Sequence, residues 1–257
     1  MLFKPGVVIN VVCYLLLSLP LAAADIRVVT EYRSHYQQQN EDGSLGGYMT
    51  DIIRALFAIT GDTPQFEVHP WGRTYTEALN NPNVLIYSMS FNPARAALFD
   101  CVAELDSEQL YFWALKNRVA LTFNSITELY PYRIGVTQSS NPDQYLTEQG
   151  LPKILRIATP EQALGMLYKE RLDLVISAEV SVMNRAVELG FDPSQLKKVF
   201  SLDALNHPIC AAFNFASDSD LRERYRAAFK TLEQNGTLEQ IRLRWQTVSN
   251  QDHDTLN

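Results

Sequence analysis

The chain has 257 residues, with 29 Asp and Glu against 22 Lys and Arg, for a formal charge of -7. That length allows one large or two small domains with well-filled cores. The acidic balance, without any stripe of Lys and Arg, excludes a nucleic-acid-binding surface.

Residues 1–24 have the three parts of a secretory signal peptide: the cation Lys4, an apolar stretch to about Leu21, and small residues ending at Ala24. Cleavage after Ala24 would release a periplasmic protein. Pro20 and the alanines that follow favour removal over anchoring, and Val11 and Val12 are poor neighbours for lipidation of Cys13. After cleavage only Cys101 and Cys210 remain. Two buried free thiols are the plainer account of them, and pairing in an oxidising compartment is the alternative.

Short strands then alternate with amphipathic helices, an α/β pattern. "IRVVTE" reads as a strand and "GGYMTDIIRALFAITG" as a helix that stops at Gly61. "PQFEVHP" is a second strand, "GRTYTEALNN" a short helix, and "NVLIYSMS" a third strand. Ser88, Ser90, Asn92 and Arg95 therefore fall at and just beyond the carboxyl end of a strand, where open α/β sheets bind ligands.

The extended "QLYFWALKN" leads into a repeat of the pattern: "YRIGVTQSSNPDQYLTEQG", "TPEQALGMLYKERLDLVISAEV", the helix "VSVMNRAVELG" and the segment "LKKVFSL". "HPICAAFN" is extended again, and "SDLRERYRAAFKTLEQNGTLEQIRLRW" closes the chain as helix. These segments predict two α/β lobes: residues 25–112 with 212–250, and residues 117–206, followed by a flexible tail at 251–257. Two extended crossovers, near Tyr111–Lys116 and Pro208–Ala212, would serve as the hinge.

In this order the segments resemble the periplasmic solute-binding proteins of family 3, over nearly all of the chain beyond residue 24. "MSFNPARA" is similar to the family's hydroxyl-rich loop ending in arginine, "YRIGVTQSSNPDQYL" to its second-lobe glycine-valine strand, and "KERLDLVISAE" to its turn into the next strand. The resemblance implies the two-lobed type II periplasmic binding fold and capture of a small carboxylate-bearing ligand, an amino acid or a relative of one. It also implies delivery by a monomer to an ABC permease, with no cofactor.

Carried onto this sequence, the resemblance makes Arg95 a carboxylate clamp, since a guanidinium offers a planar, permanently charged donor fork. An ion pair with Asp100 is the competing use of that arginine. Ser88, Ser90 and Asn92 would add donors from the first lobe, and Ser140 and Asn141 from the second, where they could equally cap a helix. The family usually meets an amino acid's ammonium with an aspartate, but Ala178 stands at that position. Glu31 or Glu179 would have to substitute, so a modified amino acid or a carboxylate without an ammonium fits as well. Tyr32 and Trp71 are expected to shape the pocket, Trp71 either stacking on ligand or closing the core. Arg73 is either a second anion clamp or a solvent-facing helix residue.

Nothing in the linear pattern builds a nucleophile, an acid-base pair or a metal centre: G-x-S-x-G, C-x-x-C and H-E-x-x-H are all absent, and His35, His69, His207 and His253 are scattered. The chain is therefore read as a binder rather than an enzyme. A sensor input for a membrane receptor, or a dehydratase-like enzyme on the same fold, are the alternatives.

Overall fold

The computed structural model describes residues 24–254 except 34, 108 and 119–122, with side chains through Trp245. The expected signal peptide thus lies outside the described residues, apart from Ala24. In chain order the elements are β1 (Asp25–Thr30), β2 (Gln38–Gln39), β3 (Leu45–Gly46), α1 (Tyr48–Thr60), β4 (Thr63–Val68), α2 (Trp71–Asn80), β5 (Val84–Ser90), α3 (Pro93–Ala96), β6 (Phe99–Ser107) and β7 (Tyr111–Leu115). They continue with β8 (Ile134–Thr137), α4 (Asn141–Glu148), β9 (Ile154–Ile157), α5 (Pro160–Tyr168), β10 (Leu174–Ser177), α6 (Glu179–Glu188), β11 (Leu196–Ser201), β12 (Pro208–Asn214), α7 (Ser219–Gln234) and α8 (Thr237–Asp254). The tail expected from residue 251 is helical through Asp254. Among the described residues no helix is long and apolar enough to cross a membrane.

Two five-stranded sheets define two lobes. The first has the order β4-β1-β5-β12-β6 and the second β11-β7-β10-β8-β9. In the first sheet β4, β1 and β5 run parallel and β12 pairs antiparallel with β5 and β6; in the second β10, β8 and β9 run parallel and β7 pairs antiparallel with β10 and β11. Both sheets are covered on both faces, so their strands alternate between two cores rather than between core and water. On β5, Leu85 and Tyr87 face the cluster built with α1 and α7, whereas Val84 and Ile86 face the cluster that holds Trp71 and Ala78 of α2. On β7, Phe112 and Ala114 pack to one side and Trp113 and Leu115 to the other. Each fully buried large side chain of this kind contributes about 1.5–3 kcal/mol.

Strand pairing corrects two expectations. Tyr111–Leu115 is paired wholly within the second sheet and Pro208–Asn214 wholly within the first, so neither is a hinge strand. The chain passes between lobes after Ser107, before Tyr111, and again between Ser201 and Pro208. Cys101 and Cys210 are also not free thiols. They form a disulfide with Cα atoms 5.6 Å apart, although 109 residues separate them in sequence. The reason is tertiary: β12 folds back antiparallel beside β6 and sets the two cysteines on neighbouring strands.

Two glycines are fixed by space. A Cβ on Gly47, at φ 110, would sit 2.4 Å from the Tyr36 carbonyl oxygen, so only glycine allows this entry into α1. Gly135 on β8 faces Leu172 and Ile157, and a Cβ there would lie 2.4 Å from Leu172 Cδ1.

Candidate functional site

A cavity of about 110 Å³ lies between the lobes, enough for several waters or a small organic molecule. Lobe one lines it with Glu31, Arg33, Trp71, Ser88, Ser90 and Arg95. Lobe two contributes polar groups at Thr137, Ser140, Asn141, Ser177 and Arg185, with an apolar floor that includes Val136, Leu164 and Val182.

Arg95 is placed by local chemistry. Asn92 caps α3, its side-chain oxygen accepting from the Arg95 backbone N–H at 2.9 Å. The one-turn helix directs Arg95 inward, where it is 1 % exposed. Its Nη1 donates to the Ser90 carbonyl at 2.8 Å and its Nη2 to the Ser139 carbonyl at 3.3 Å, while its Nε has no partner. The guanidinium carbon lies 5.2 Å from the Trp71 ring and 5.4 Å from Tyr75. Among the described residues no carboxylate pairs with it. Asp100, the competing partner, is taken by Arg222 at 2.6 Å and by Arg226. Burial lowers the Arg95 pKa to about 10, which leaves it charged at neutral pH.

Ser88 reaches the cavity through a distortion. The pairing of β12 with β5 slips between Cys210 and Ala212, and Ser88 takes φ 63 opposite that slip. Such a bulge re-aims a side chain. The Ser88 hydroxyl is buried with no partner. Across the cavity Ser139 has φ 61, and its carbonyl also accepts from Trp71 Nε1 at 3.1 Å. Two of the non-glycine residues with positive φ thus lie at this site, Ser88 in the cavity wall and Ser139 beside Arg95.

Ser140 caps α4, its hydroxyl accepting from the Asp143 N–H at 3.3 Å. Asp143 in turn accepts from the Ser139 N–H at 2.9 Å and pairs with Arg156 at 2.9 Å. Two N–H groups at this helix start are therefore already bonded within the protein. Asn141 instead spans the cleft: it accepts from Asn92 Nδ2 at 2.6 Å and donates to Ser90 Oγ at 3.0 Å.

Glu31, at the end of β1, is the only carboxylate among the described cavity-lining residues. Desolvation raises its pKa to about 7 against the opposing pull of Arg33, Arg185 and Arg95. Trp71 packs in the core with Val29 and Met89, and it also lines the cavity.

Four expected residues do not line the cavity; Asn92 is the nearest of them, occupied by the α3 cap and by Asn141. Tyr32 is 41 % exposed beyond β1. Arg73 lies on the outer face of α2, because Trp71, Thr74 and Ala78 take the inner one. Glu179 opens α6 rather than extending β10; the chain turns at Ala178, and Glu179 pairs with Lys198 on the surface. Sequence reading missed Arg185, which α6 buries to 3 % exposure beside Ser181, Val182 and Ala186. The signal was present: an arginine on the apolar stripe of an amphipathic helix, three residues beyond Val182.

Two α/β lobes that enclose a polar cavity and are joined by two connections define the type II periplasmic binding fold, and solved structures similar to this chain share it. A histidine kinase sensor domain with similarity to periplasmic binding proteins superposes with a TM-score of 0.78 at 20 % identity, over 86 % of this chain and 95 % of that one. An ancestral arginine-binding protein bound to arginine gives 0.75 at 18 %, over 86 % and 97 %. An arginine transport-system periplasmic binding protein from Legionella pneumophila gives 0.72 at 13 %, over 87 % and 100 %. Comparison with curated proteins returns no match. A family model matches residues 26–248, and the chain belongs to the bacterial extracellular solute-binding proteins, family 3.

Proposed function

We propose that the protein, released by cleavage after Ala24, acts in the periplasm as a monomeric solute-binding protein. It captures a small carboxylate-bearing ligand between its lobes and presents it to an ABC permease. The observation that carries this reading is Arg95, a buried guanidinium in the interlobe cavity with no carboxylate partner among the described residues. A buried cation left without a counter-ion is costly, and an incoming carboxylate removes that cost. Ser88, Ser90 and Trp71 complete the lobe-one wall, and Ser140 and Asn141 close over it. Closure follows the ligand's stronger contacts with the closed state.

The test is a thermal-shift screen of ligand-stripped protein against amino acids and small mono- and dicarboxylates. A ligand at a hundred times its Kd adds about 2.7 kcal/mol, a shift of roughly 5–10 °C for a chain of this size. The shift should vanish in Arg95→Ala, and the ligand should be recovered chemically unchanged. A shift that persists in Arg95→Ala removes that residue from the site.

The fold shared with a histidine kinase sensor domain supports a second reading, a sensor input acting on a separate membrane receptor. Loss of labelled-ligand uptake on deletion of the gene supports transport. Intact uptake with a lost transcriptional response supports sensing.

A further inference from the structure

Three irregularities of strand pairing meet on Ile209–Ala212 of β12. Against β6, Leu105 is left over between the pairs Ile209–Asp106 and Cys210–Glu104, and Val102 between the pairs Ala211–Ala103 and Ala212–Cys101. Against β5, Cys210 pairs with Met89 and Ala212 with Ile86, so Ala211 alone faces Tyr87 and Ser88. An extra residue bends its strand and re-aims a side chain. In the ladder Cys101 belongs opposite Ala212, two residues along from Cys210. The bulge at Val102 draws the two cysteines to a Cα separation of 5.6 Å, within reach of a bridge.

The bulge on β5 is the one that reaches the cavity. Ser88 holds φ 63 in it, and its hydroxyl is buried in the cavity wall with no partner. A serine keeps such a conformation only where its surroundings over-determine it. The pairing of β5 with β1 ends at Ile86, so beyond that residue β12 is the one strand paired with β5 among the described residues. Ser88 sits between two anchored neighbours. The Tyr87 hydroxyl is bonded to Thr50 at 2.9 Å, and Met89 is paired with Cys210. The disulfide thus ties to β6 the residue of β12 against which the cavity bulge is set.

Resting on the solute-binding reading above, we propose that the Cys101–Cys210 bridge is a positioning element of the binding site. It fixes the bulge that presents the Ser88 hydroxyl to the ligand, so the oxidised protein binds its ligand tightly and the reduced protein binds it weakly. Forming the bridge removes two electrons and two protons from the thiols, which a disulfide oxidant takes up by exchange. The site is therefore complete only in a compartment that oxidises the pair.

The experiment is calorimetric titration of ligand-stripped protein, comparing oxidised wild type with a variant that combines Cys101→Ala and Cys210→Ala, at a temperature where both are fully folded. The probe is the tightest binder to oxidised wild type among the proteinogenic L-amino acids, acetate and succinate. Loss of the bridge should weaken it about tenfold, the worth of one hydrogen bond to a charged group. Ser88→Ala should also weaken it about tenfold in the bridged protein, but by less than about threefold once the bridge is gone. A disulfide that only stabilises the fold leaves the affinity of folded protein unchanged, and one that acts on the site through other residues gives additive losses. Either result overturns the proposal and leaves the solute-binding reading intact. Should the alanine pair fail to fold, wild type reduced in its folded state with excess dithiothreitol takes its place, Cys101 being partly exposed. NMR of protein with isotope-labelled serine, in which Ser88 is identified by its absence from Ser88→Ala, reads the same change without ligand. The Ser88 backbone shifts should leave their left-handed values when the bridge is lost, and unchanged shifts show that Tyr87 and Met89 hold the bulge unaided, which overturns the proposal. Binding of no probe to oxidised wild type removes both readings.

Discussion

Asn92 of lobe one donates to Asn141 of lobe two across the cleft, Nδ2 to Oδ1, at 2.6 Å. Asn141 completes the link by donating to Ser90 Oγ. Both asparagines are buried, so the pair is a latch formed by protein groups alone, and it biases the lobes toward closure before any ligand arrives. Asn141→Ala removes both bonds, about 1–2 kcal/mol of preference for the closed form. Small-angle scattering of the unliganded variant should give a larger radius of gyration than wild type. Superimposable curves would show that the latch does not set the resting state.

Glu31 makes stability depend on pH with an unusual sign. Its folded pKa of about 7 lies above the ordinary carboxylate value, so the folded state holds a proton that the unfolded state releases. The linked stability is fully present below the unfolded pKa, near 4.5, and is lost as pH rises through 7. The groups facing this carboxyl are Arg33, Arg95, Arg185 and Glu161. Glu67 acts in a separate range: its hydrogen bond from Arg27 lowers its pKa to about 2, so its contribution disappears only in acid. Glu31→Gln mimics the protonated form. It should leave the unliganded protein about 1–3 kcal/mol more stable than wild type at pH 8, after allowance for water in the cleft, with the advantage gone at pH 4.5. Parallel melting curves across that range would contradict the assignment.

The Cys101–Cys210 bond closes a loop of 109 residues that contains all of lobe two. By the chain-entropy argument a loop of that size adds about 5 kcal/mol by restricting the unfolded chain. Alkylation under denaturing, non-reducing conditions should label neither cysteine of the folded product. The double variant Cys101→Ala with Cys210→Ala should unfold at lower denaturant. Labelling of both residues in the folded protein would refute the bridge.

Gly135→Ala places a methyl against Leu172 and Ile157 at the floor of the cleft. Overpacking there should cost about 1–3 kcal/mol in urea unfolding. Leu172→Val in the same chain should recover part of the loss, because the clash is with the end of that side chain. Strictly additive costs would place the strain elsewhere.

Much of the architecture is legible in the sequence because it is local. Helix α1 announces itself by its apolar spacing and Gly61 stop, and the strands by short apolar runs between turns. Arg95 could be found for the same reason: its cap, its helix turn and its hydroxyl neighbours all lie within a few residues. What stayed hidden depends on pairs far apart in the chain. The disulfide needs β12 beside β6, and the exile of Glu179 needs a strand that ends at Ser177, short of Ala178 and Glu179. Arg185 needs α6 to turn its apolar stripe toward a cavity, which no linear spacing reveals.

The two interlobe connections begin and end side by side. Ser107 pairs with Pro208 at the edge of lobe one, and Tyr111 pairs with Ser201 at the edge of lobe two. The lobes therefore hang on a double strap rather than on two separate threads. A double strap bends readily across its width but resists shear and twist, so each opening should return the same faces to one another. Asn141 can then return to Asn92 and Ser90 without a search through orientations.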